Sequence, residues 1–292
     1  MIKQISFSVV LSLALLGCGG GESESKNLKP VWQSSGASLA VPESVVYDDR
    51  KSQIYVSNVN AKASGNPWVD NEGFLSLLDT QGKVITLKWI TGLKAPKGLA
   101  LYGDTLYVAD LDQVVKINTQ HAKIVARFHA PKGVAKLNDL VYDPTRELIY
   151  VSDSSRKALY AVDAKGDFSL LYAKEESQKA EQNGLYLDHD KLVMQGRVGY
   201  LKSLHLDKPK EVDILSQQIN IPIDGITPYQ DRGYLVSAWA GEIHFVSRNG
   251  TEKILIKTNP VHSADIFYSE KLDLLLVPDF DQHIIAYKVK NI

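Results

Sequence analysis

Short runs of β-forming residues, separated by polar turns, recur along most of this chain. Typical runs are Ile54-Tyr-Val56, Leu106-Tyr-Val108 and Ile149-Tyr-Val151. No stretch keeps the apolar period of about 3.6 residues that marks an amphipathic helix. Turns such as Asp163-Ala-Lys-Gly166 and Asn249-Gly250 contain Gly and Asn, which accept positive φ angles. The pattern predicts an all-β fold.

Six segments align with one another, and each opens a unit made of strands and tight turns. They begin at intervals of 54, 41, 45, 41 and 40 residues. The segments are Glu43–Tyr47, Lys97–Leu101, Asn138–Tyr142, Asn183–Leu187, Asp224–Pro228 and Ala264–Tyr268. Four-strand units that recur every ~40–50 residues are typical of β-propeller blades. We therefore predict a six-bladed β-propeller with four antiparallel strands in each blade.

The sixth unit supplies only three strands before Ile292, and an open blade would leave an unpaired strand edge. The segment Pro30-Val-Trp-Gln33 precedes the first unit and is predicted to be a short strand. We expect it to complete the last blade and close the ring, so that the propeller comprises residues 30–292. The first unit carries a long insertion, Asn58 to Gly73, which we expect at one mouth of the central channel.

The N-terminal residues are typical of an export signal. Residues 1–17 contain an apolar run that is too short to span ~30 Å of hydrocarbon but suits a signal peptide. Leu15 to Cys18 resembles a bacterial lipobox, in which the cysteine is acylated. Residues 18–29 are rich in Gly, Ser and Glu and predict a flexible tether. With Gly19 after the cysteine, the pattern predicts a cell-envelope lipoprotein on the periplasmic face of the outer membrane. An ordinary secretion signal with an incidental cysteine is the alternative.

Composition narrows the possible partners. The chain has 33 Lys and Arg against 34 Asp and Glu, which argues against binding nucleic acid through a basic surface. A hydrophobic content of 44% excludes a largely disordered chain. The single cysteine excludes internal disulfides and multi-cysteine metal sites. We expect a monomer that acts on a small molecule and touches the membrane only through its lipid anchor.

The first residue of each aligned segment is the candidate for chemistry, because equivalent positions of a propeller form a ring around its axis. Around the ring these residues are Glu43, Lys97, Asn138, Asn183, Asp224 and Ala264. Two carboxylates converging on a narrow channel repel each other unless a cation lies between them. Two carboxylates and two amide carbonyls suit a hard divalent cation, calcium above magnesium, whereas zinc prefers His or Cys. The alternative is that these residues only cap strand starts.

Four dipeptides, each of which opens a unit, resemble the senescence marker protein / gluconolactonase / luciferin-regenerating enzyme family. They are Glu43-Ser44, Asn138-Asp139, Asn183-Gly184 and Asp224-Gly225. The resemblance extends from about Val41 to the end of the chain. In that family the Glu, the two Asn and the Asp hold a divalent metal, commonly calcium, and many members open lactones. The resemblance implies the same metal ligands here and a lactone or related ester as substrate.

Two positions depart from the family pattern. Members often carry Arg two residues before the first Asn, whereas this chain has Lys136, which keeps the charge but loses the bidentate fork. The Asn-Asp pair is usually followed by Gly, whereas here Leu140 follows. Both residues border the expected pocket and leave the identity of the lactone or ester open.

The resulting hypothesis is a metal-dependent lactonase or esterase. The metal would polarise the carbonyl, and Asp224 would accept a proton from the attacking water as general base. Lys97, Lys136 and Asp139 are the predicted substrate-binding residues. The alternative function is a non-catalytic propeller, plugged by a metal, that binds a small ligand or a protein partner in the cell envelope.

Several other residues have weaker signals. His262 lies two residues before the sixth ring position and is a minor catalytic candidate. Trp68, in the long insertion, would stack on a ligand or anchor its own loop. Asp110, Asp153 and Asp279 each follow the second strand of a unit, and this recurrence predicts a hydrogen bond between strand and loop.

Overall fold

The described part of the chain is built entirely from β-strands. The computed structural model describes residues 28, 30–60, 72–134, 136–173, 183–196, 199–219, 222–257 and 262–289. Within these ranges the strands form six four-stranded antiparallel sheets, and none of these residues lies in a helix. No described segment forms a helix long and apolar enough to cross a membrane. The predicted six-bladed propeller is confirmed.

The strands follow one another in blade order. A first strand, β1 (Pro30–Gln33), precedes blade 1. Blade 1 contains β2 (Pro42–Asp48), β3 (Gln53–Asn58), β4 (Gly73–Leu78) and β5 (Val84–Leu93). Blade 2 contains β6 (Pro96–Tyr102), β7 (Thr105–Asp110), β8 (Gln113–Asn118) and β9 (Lys123–His129). Blade 3 contains β10 (Leu137–Asp143), β11 (Leu148–Asp153), β12 (Ala158–Val162) and β13 (Phe168–Ala173).

The second half of the ring repeats this order. Blade 4 contains β14 (Leu185–Asp188), β15 (Lys191–Gln195), β16 (Gly199–His205) and β17 (Val212–Ile219). Blade 5 contains β18 (Ile223–Tyr229), β19 (Gly233–Ala238), β20 (Glu242–Ser247) and β21 (Glu252–Lys257). Blade 6 contains β22 (Phe267–Ser269), β23 (Leu274–Pro278) and β24 (Ile284–Tyr287).

The last blade takes its fourth strand from the beginning of the propeller. Its order is β1-β24-β23-β22, and β1 runs antiparallel to β24 with Trp32 opposite Ala286. The predicted closure of the ring by Pro30–Gln33 is therefore confirmed. The predicted signal peptide, Cys18 and nearly all of the predicted tether lie outside the described residues, as does Trp68.

Hydrophobic burial holds neighbouring blades together. The described residues form seven hydrophobic core clusters, and the six larger ones each join the facing sides of two adjacent blades. The middle strands are buried on both sides, which explains why segments such as Ile54-Tyr-Val56 are continuous apolar runs. Outer strands alternate instead, as in β9, where exposed and half-buried residues take turns.

The first strands of the blades line the centre. Each contacts the first strand of the next blade, all the way round from β2 to β22 and back to β2. They enclose a cavity of about 360 Å³ with a largely apolar lining, including Leu99, Leu187 and Ile226. The predicted ring positions lie where these inner strands begin. Asn183 and Ala264 lie just before β14 and β22, and the other four are the second residues of their strands.

A β-bulge recurs at these ring positions in blades 1, 2, 3 and 5. In blade 1, Pro42 pairs with Asn58 and Val45 with Val56, so residues 43 and 44 oppose residue 57 alone. The same shift places residues 97–98, 138–139 and 224–225 in bulges. Because a bulge adds one residue to one strand and re-aims its side chains, two consecutive residues of each strand reach the same end of the channel.

Serine side chains satisfy the backbone of three of these bulges. The Oγ atoms of Ser57, Ser152 and Ser237 accept hydrogen bonds from the backbone N–H of residues 44, 139 and 225, at 2.9, 2.9 and 2.7 Å. All three serines are fully buried and lie opposite the bulge on the second strand. The bulge therefore leaves no unpaired N–H at these three positions.

The closure of the ring yields a stability prediction. Gly82 has a φ angle of 80° and lies directly against the Trp32 ring, where an added Cβ would overlap that ring. Gly103 also has positive φ, 57°, but nothing lies within 4 Å of its Cβ position. We expect Gly82→Ala to lower the free energy of unfolding by about 1–3 kcal/mol more than Gly103→Ala, because overlap adds to backbone strain. Equal losses in urea unfolding would contradict this packing.

Candidate functional site

The predicted ring residues converge at one end of the channel. Glu43, Lys97, Asn138 and Asp224 are all buried, whereas Asn183 is half-buried. Asn183 Nδ2 donates a hydrogen bond to Asp224 Oδ1 at 2.7 Å. The ring of polar residues predicted from sequence is thus formed, although metal coordination by it stays a prediction.

Lys97 and Glu43 form a buried ion pair between blades 2 and 1. Lys97 Nζ lies 3.2 Å from Glu43 Oε1, and both side chains are less than 5% exposed. Burial raises the pKa of Glu43, whereas the Lys97 ammonium and its hydrogen bond act in the opposite direction. Glu43 Oε2 has no hydrogen-bond partner. The ammonium therefore satisfies only one of the two carboxylate oxygens.

Asn138 presents a second unpartnered oxygen. Its Nδ2 donates to Ser154 Oγ at 2.9 Å, which fixes the orientation of the amide. Its Oδ1 is buried and has no hydrogen-bond partner. Buried oxygen atoms without a donor cost free energy, so the site favours a species that can occupy this position.

A second ring, formed by the residue after each predicted position, was not recognised as a structural unit from sequence. Its members are Ser44, Gly98, Asp139, Gly184, Gly225 and Asp265. Asp139 Oδ2 accepts a hydrogen bond from the Leu185 backbone N–H in blade 4 at 2.6 Å. Asp265 Oδ2 accepts one from Ser44 Oγ in blade 1 at 2.5 Å. Each carboxyl group thus links its own blade to the next.

Glycine precedes each of these carboxyl groups around the ring. A Cβ on Gly98 would overlap the Asp139 carboxyl group, and a Cβ on Gly225 would overlap Asp265 and the backbone N–H of Ile266. Only glycine, which has no Cβ, leaves room for the Asp139 and Asp265 carboxyl groups this close to the neighbouring backbone. The two Gly/Asp pairs lie three blades apart, so this close contact occurs once in each half of the ring. Asp139, predicted to bind substrate, is therefore a link between blades, and its substrate contact remains a prediction.

Four carboxyl groups lie close together at this end of the channel. Burial, aided by the nearby carboxyl groups of Glu43 and Asp224, raises the pKa of Asp139 to about 8, although hydrogen bonds from two backbone N–H groups act in the opposite direction. Burial also raises the pKa of Asp265, with Asp139 and Glu43 acting in the same direction. The Lys97–Glu43 ion pair compensates one carboxylate of this group of four. Further positive charge at this place would stabilise the ionised state of the others.

The donor set fits a hard divalent cation. Glu43 Oε2 and Asn138 Oδ1 are buried and unpartnered, and carboxylate and amide oxygens are the ligands that calcium accepts in irregular geometry. The described residues contain no group of three or more His, Cys, Asp or Glu side chains arranged to hold a metal. A metal site here would thus depend on the two amides as well as the two carboxylates.

Lys136 and the three recurring aspartates occupy defined positions. Lys136 is half-buried just before β10, and its backbone carbonyl accepts a hydrogen bond from Ser154 N at 3.0 Å. Asp110 Oδ1 accepts from Lys94 N at 2.8 Å. Asp153 Oδ1 accepts from a backbone N–H two residues later at 2.8 Å, and Asp279 Oδ1 from three successive N–H groups at 2.9 Å. The predicted hydrogen bonds between strand and loop are confirmed for all three aspartates.

An aromatic cluster beside the ring was missed from sequence. The Trp239 ring stacks on His262 with centroids 4.6 Å apart and contacts the Phe280 ring edge-on at the same separation. Lys97 Nζ lies 5.7 Å from the centre of the Phe280 ring. Trp239 and Phe280 each lie at the start of the loop between the second and third strands of their blades. Their equivalent positions in two neighbouring blades were the sequence signal from which the cluster could have been predicted.

Comparison with known proteins identifies the fold. No family model matches the sequence. No curated protein matches it either. Among solved structures, a streptogramin B lyase superposes with a TM-score of 0.62 at 11% identity, covering 87% of this chain and 95% of that one. A catalytically inactive histidine-to-alanine variant of virginiamycin B lyase from Staphylococcus aureus, with quinupristin, gives 0.58 at 13% identity, covering 87% and 99%.

The selenomethionine-substituted form of that Staphylococcus aureus enzyme gives a TM-score of 0.60 at 12% identity, again covering 87% of this chain and 99% of that one. At these identities the likeness shows the propeller fold alone. The resemblance to the senescence marker protein and gluconolactonase family receives no support from a family model. It remains a resemblance carried by the residues of the ring.

The link between blades 6 and 1 yields a second stability prediction. Ser44→Ala removes the only hydroxyl that donates to Asp265 Oδ2 in the described contacts, and should cost about 1–3 kcal/mol because a buried carboxyl group loses its donor. Ser203→Ala is the matched control, since Ser203 is equally buried but its Oγ has no hydrogen-bond partner. Urea unfolding should show a loss for the first variant and almost none for the second. Equal losses would mean that the hydrogen bond contributes nothing.

Proposed function

We propose that this protein is a divalent-metal-dependent hydrolase that opens a lactone or a related ester. The observation that carries the proposal is the pair of buried, unpartnered oxygens, Glu43 Oε2 and Asn138 Oδ1, in a ring that also holds the hydrogen-bonded Asn183 and Asp224. These are the four residues that the family resemblance implies as metal ligands.

Electrostatics supports a cation at this ring. The raised pKa values of Asp139 and Asp265 reflect burial together with the repulsion of neighbouring carboxyl groups. A divalent ion held by Glu43, Asn138 and Asp224, with Asn183, would compensate charge that the Lys97 ammonium does not. When bound, such an ion supplies Lewis-acid polarisation of the substrate carbonyl.

The side chains of the chain itself supply the remaining functions. Asp224, held in position by the Asn183 amide, accepts the proton of the attacking water as general base. Lys97 and Lys136 bind the oxygen atoms of the substrate by charge, Lys97 from within the ring and Lys136 from the segment before β10. The water oxygen bonds to the carbonyl carbon, the bond from that carbon to the ester oxygen breaks, and the proton held by Asp224 passes to the leaving oxygen. A lactone then gives a hydroxy acid, and an open ester gives an acid and an alcohol.

The similar solved structures support an enzymatic role in a limited way. They are named as lyases, and one was determined with quinupristin. They indicate that propellers of this shape carry catalytic sites, but a fold hosts many functions, and the reaction must be argued from the ring itself. Incorporation of labelled oxygen from water would identify hydrolysis, because an elimination adds none.

The alternative is a non-catalytic propeller that binds a small ligand or a protein partner. The buried Lys97–Glu43 ion pair favours it, because an internal cation already joins two blades at the centre. In that case the ring would stabilise the fold, and metal binding would produce no turnover.

We also propose that the chain is a monomeric lipoprotein of the cell envelope, anchored through Cys18. The support is the sequence from Leu15 to Cys18 and the tether that follows it. Expression with a labelled fatty acid should give a membrane-associated, labelled protein, whereas Cys18→Ser should give an unlabelled one. Labelling that persists in the variant would refute acylation at Cys18.

A calcium titration tests the proposed function directly. For the wild-type propeller we expect the melting temperature to rise with calcium, by the equivalent of about 2.7 kcal/mol when calcium is 100 times its Kd. Hydrolysis of a lactone panel should require the same ion. Asp224→Ala should lose both responses, and the exposed Asp231→Ala should keep both. Stabilisation without turnover would favour the binding protein, and no response to calcium, magnesium, manganese or zinc would exclude a metal site.

Replacing Lys97 tests whether its ammonium competes with the metal. Lys97→Met removes the positive partner of Glu43 and should destabilise the metal-free protein by about 3–5 kcal/mol, because a buried carboxylate loses its ion pair. Calcium should then stabilise the variant more than it stabilises the wild type. If calcium stabilises both equally, Glu43 is not a ligand.

A further inference from the structure

We propose that Trp239, His262 and Phe280 form an aromatic wall that binds a planar ring of the substrate, so that the preferred lactones or esters carry an aromatic ring next to the carbonyl group. The inference deepens the proposed function by naming a substrate class and rests on it for the chemical step. The binding part stands on the wall alone.

The wall extends outward from the polar ring that contains Glu43, Asn138, Asn183 and Asp224. Lys97, which is ion-paired to Glu43, lies 5.7 Å from the centre of the Phe280 ring. Phe280 contacts Trp239 at an interplanar angle of 77°, and Trp239 stacks on His262 at 15°. The four side chains thus make a continuous row from the buried centre to an exposed histidine. A ligand whose carbonyl lies at the centre would place its adjoining group along this row.

The wall is fixed before any ligand arrives. Phe280 has a φ angle of 55°, a conformation that costs free energy in a residue other than glycine. The Asp279 carboxylate holds the Phe280 loop in this conformation by accepting the N–H groups of residues 281, 282 and 283. Asp281 O and Gln282 O accept hydrogen bonds from the segment before β2. Leu111, which follows Asp110 in blade 2, has a similar φ angle of 62°, so this conformation belongs to the repeat, and at Phe280 it fixes the aromatic ring beside Trp239.

The Trp239 side of the wall is fixed in the same way. Trp239 N donates to Pro222 O at 3.1 Å, and Ser263 Oγ donates to Ala238 O at 2.9 Å, which ties the His262 segment to the same hairpin. Preorganised aromatic side chains bind with little loss of conformational entropy.

The chemistry of the wall favours an aromatic group over a sugar. Trp239 is 37% exposed although it is large and apolar, so the part of its surface that His262 and Phe280 leave uncovered is open to a ligand. A sugar ring would require several polar side chains for its hydroxyl groups, whereas this wall consists of three rings. Lys136 in place of the family's Arg agrees with a substrate other than a sugar lactone.

Paired substrates test the inference through turnover. 3-Isochromanone and its ring-saturated analogue both release a primary alcohol on hydrolysis and differ mainly in the planarity of the ring near the carbonyl. We expect wild-type kcat/KM, with calcium present, to favour 3-isochromanone by about fivefold to tenfold, the range that an aromatic pair supports. Trp239→Leu should bring the ratio close to one, and Trp239→Phe should restore most of it. Trp89→Leu is the matched control, because Trp89 is half-buried on β5 against Tyr55 and should keep the wild-type ratio.

A binding measurement separates this inference from the proposed function. The corresponding lactams, 1,4-dihydro-3-isoquinolinone and its ring-saturated analogue, resist hydrolysis and can be titrated by calorimetry. Tighter binding of the planar lactam, lost in Trp239→Leu, would support the wall even if no lactone were hydrolysed. Turnover without any preference between the paired lactones, and equal binding of the two lactams, would overturn the wall while leaving the hydrolase intact.

Discussion

The burial of several carboxyl groups at one end of a narrow channel is the constraint on which the rest of the molecule depends. Glu43, Asp139, Asp224 and Asp265 are all buried there, and their charges oppose one another. The fold meets this cost by three means. Lys97 pairs with Glu43, the Asn183 amide donates to Asp224, and donors from neighbouring blades reach Asp139 and Asp265. The acidic centre is therefore also what joins the blades around the axis.

The recurring bulge makes this arrangement possible. Without the extra residue, successive side chains of an inner strand would point to opposite sides, and the two rings could not lie at one end of the channel. The bulge has its own requirement, since its extra N–H must be paired. Ser57, Ser152 and Ser237 meet that requirement from the second strand. The acidic ring consequently depends on the bulges, and the bulges depend on the buried serines.

The repeat pattern was sufficient to predict the fold, because each blade places similar residues in similar environments. It predicted the number of blades and the strand order. It also predicted the closing strand Pro30–Gln33, because an incomplete last blade would otherwise leave an unpaired strand edge. It also predicted the positions of Glu43, Asn138, Asn183 and Asp224. The linking role of Asp139 and Asp265 was not predicted, because it depends on the bulge and on the empty space at Gly98 and Gly225. The aromatic wall was missed because Trp239 and Phe280 meet only after two separate blades are placed side by side.

The closing pair of strands has a consequence for how the molecule acquires its structure. β1 is the first strand of the propeller to be synthesised, yet its partner β24 is the last strand of the described chain. Contacts between such distant parts of a sequence form slowly, because the intervening chain must lose its conformational freedom first. Until then the sixth blade has an exposed outer edge at β24. Closure of the ring should therefore be a late and cooperative step, in which the pairing of β1 with β24 stabilises all six blades together.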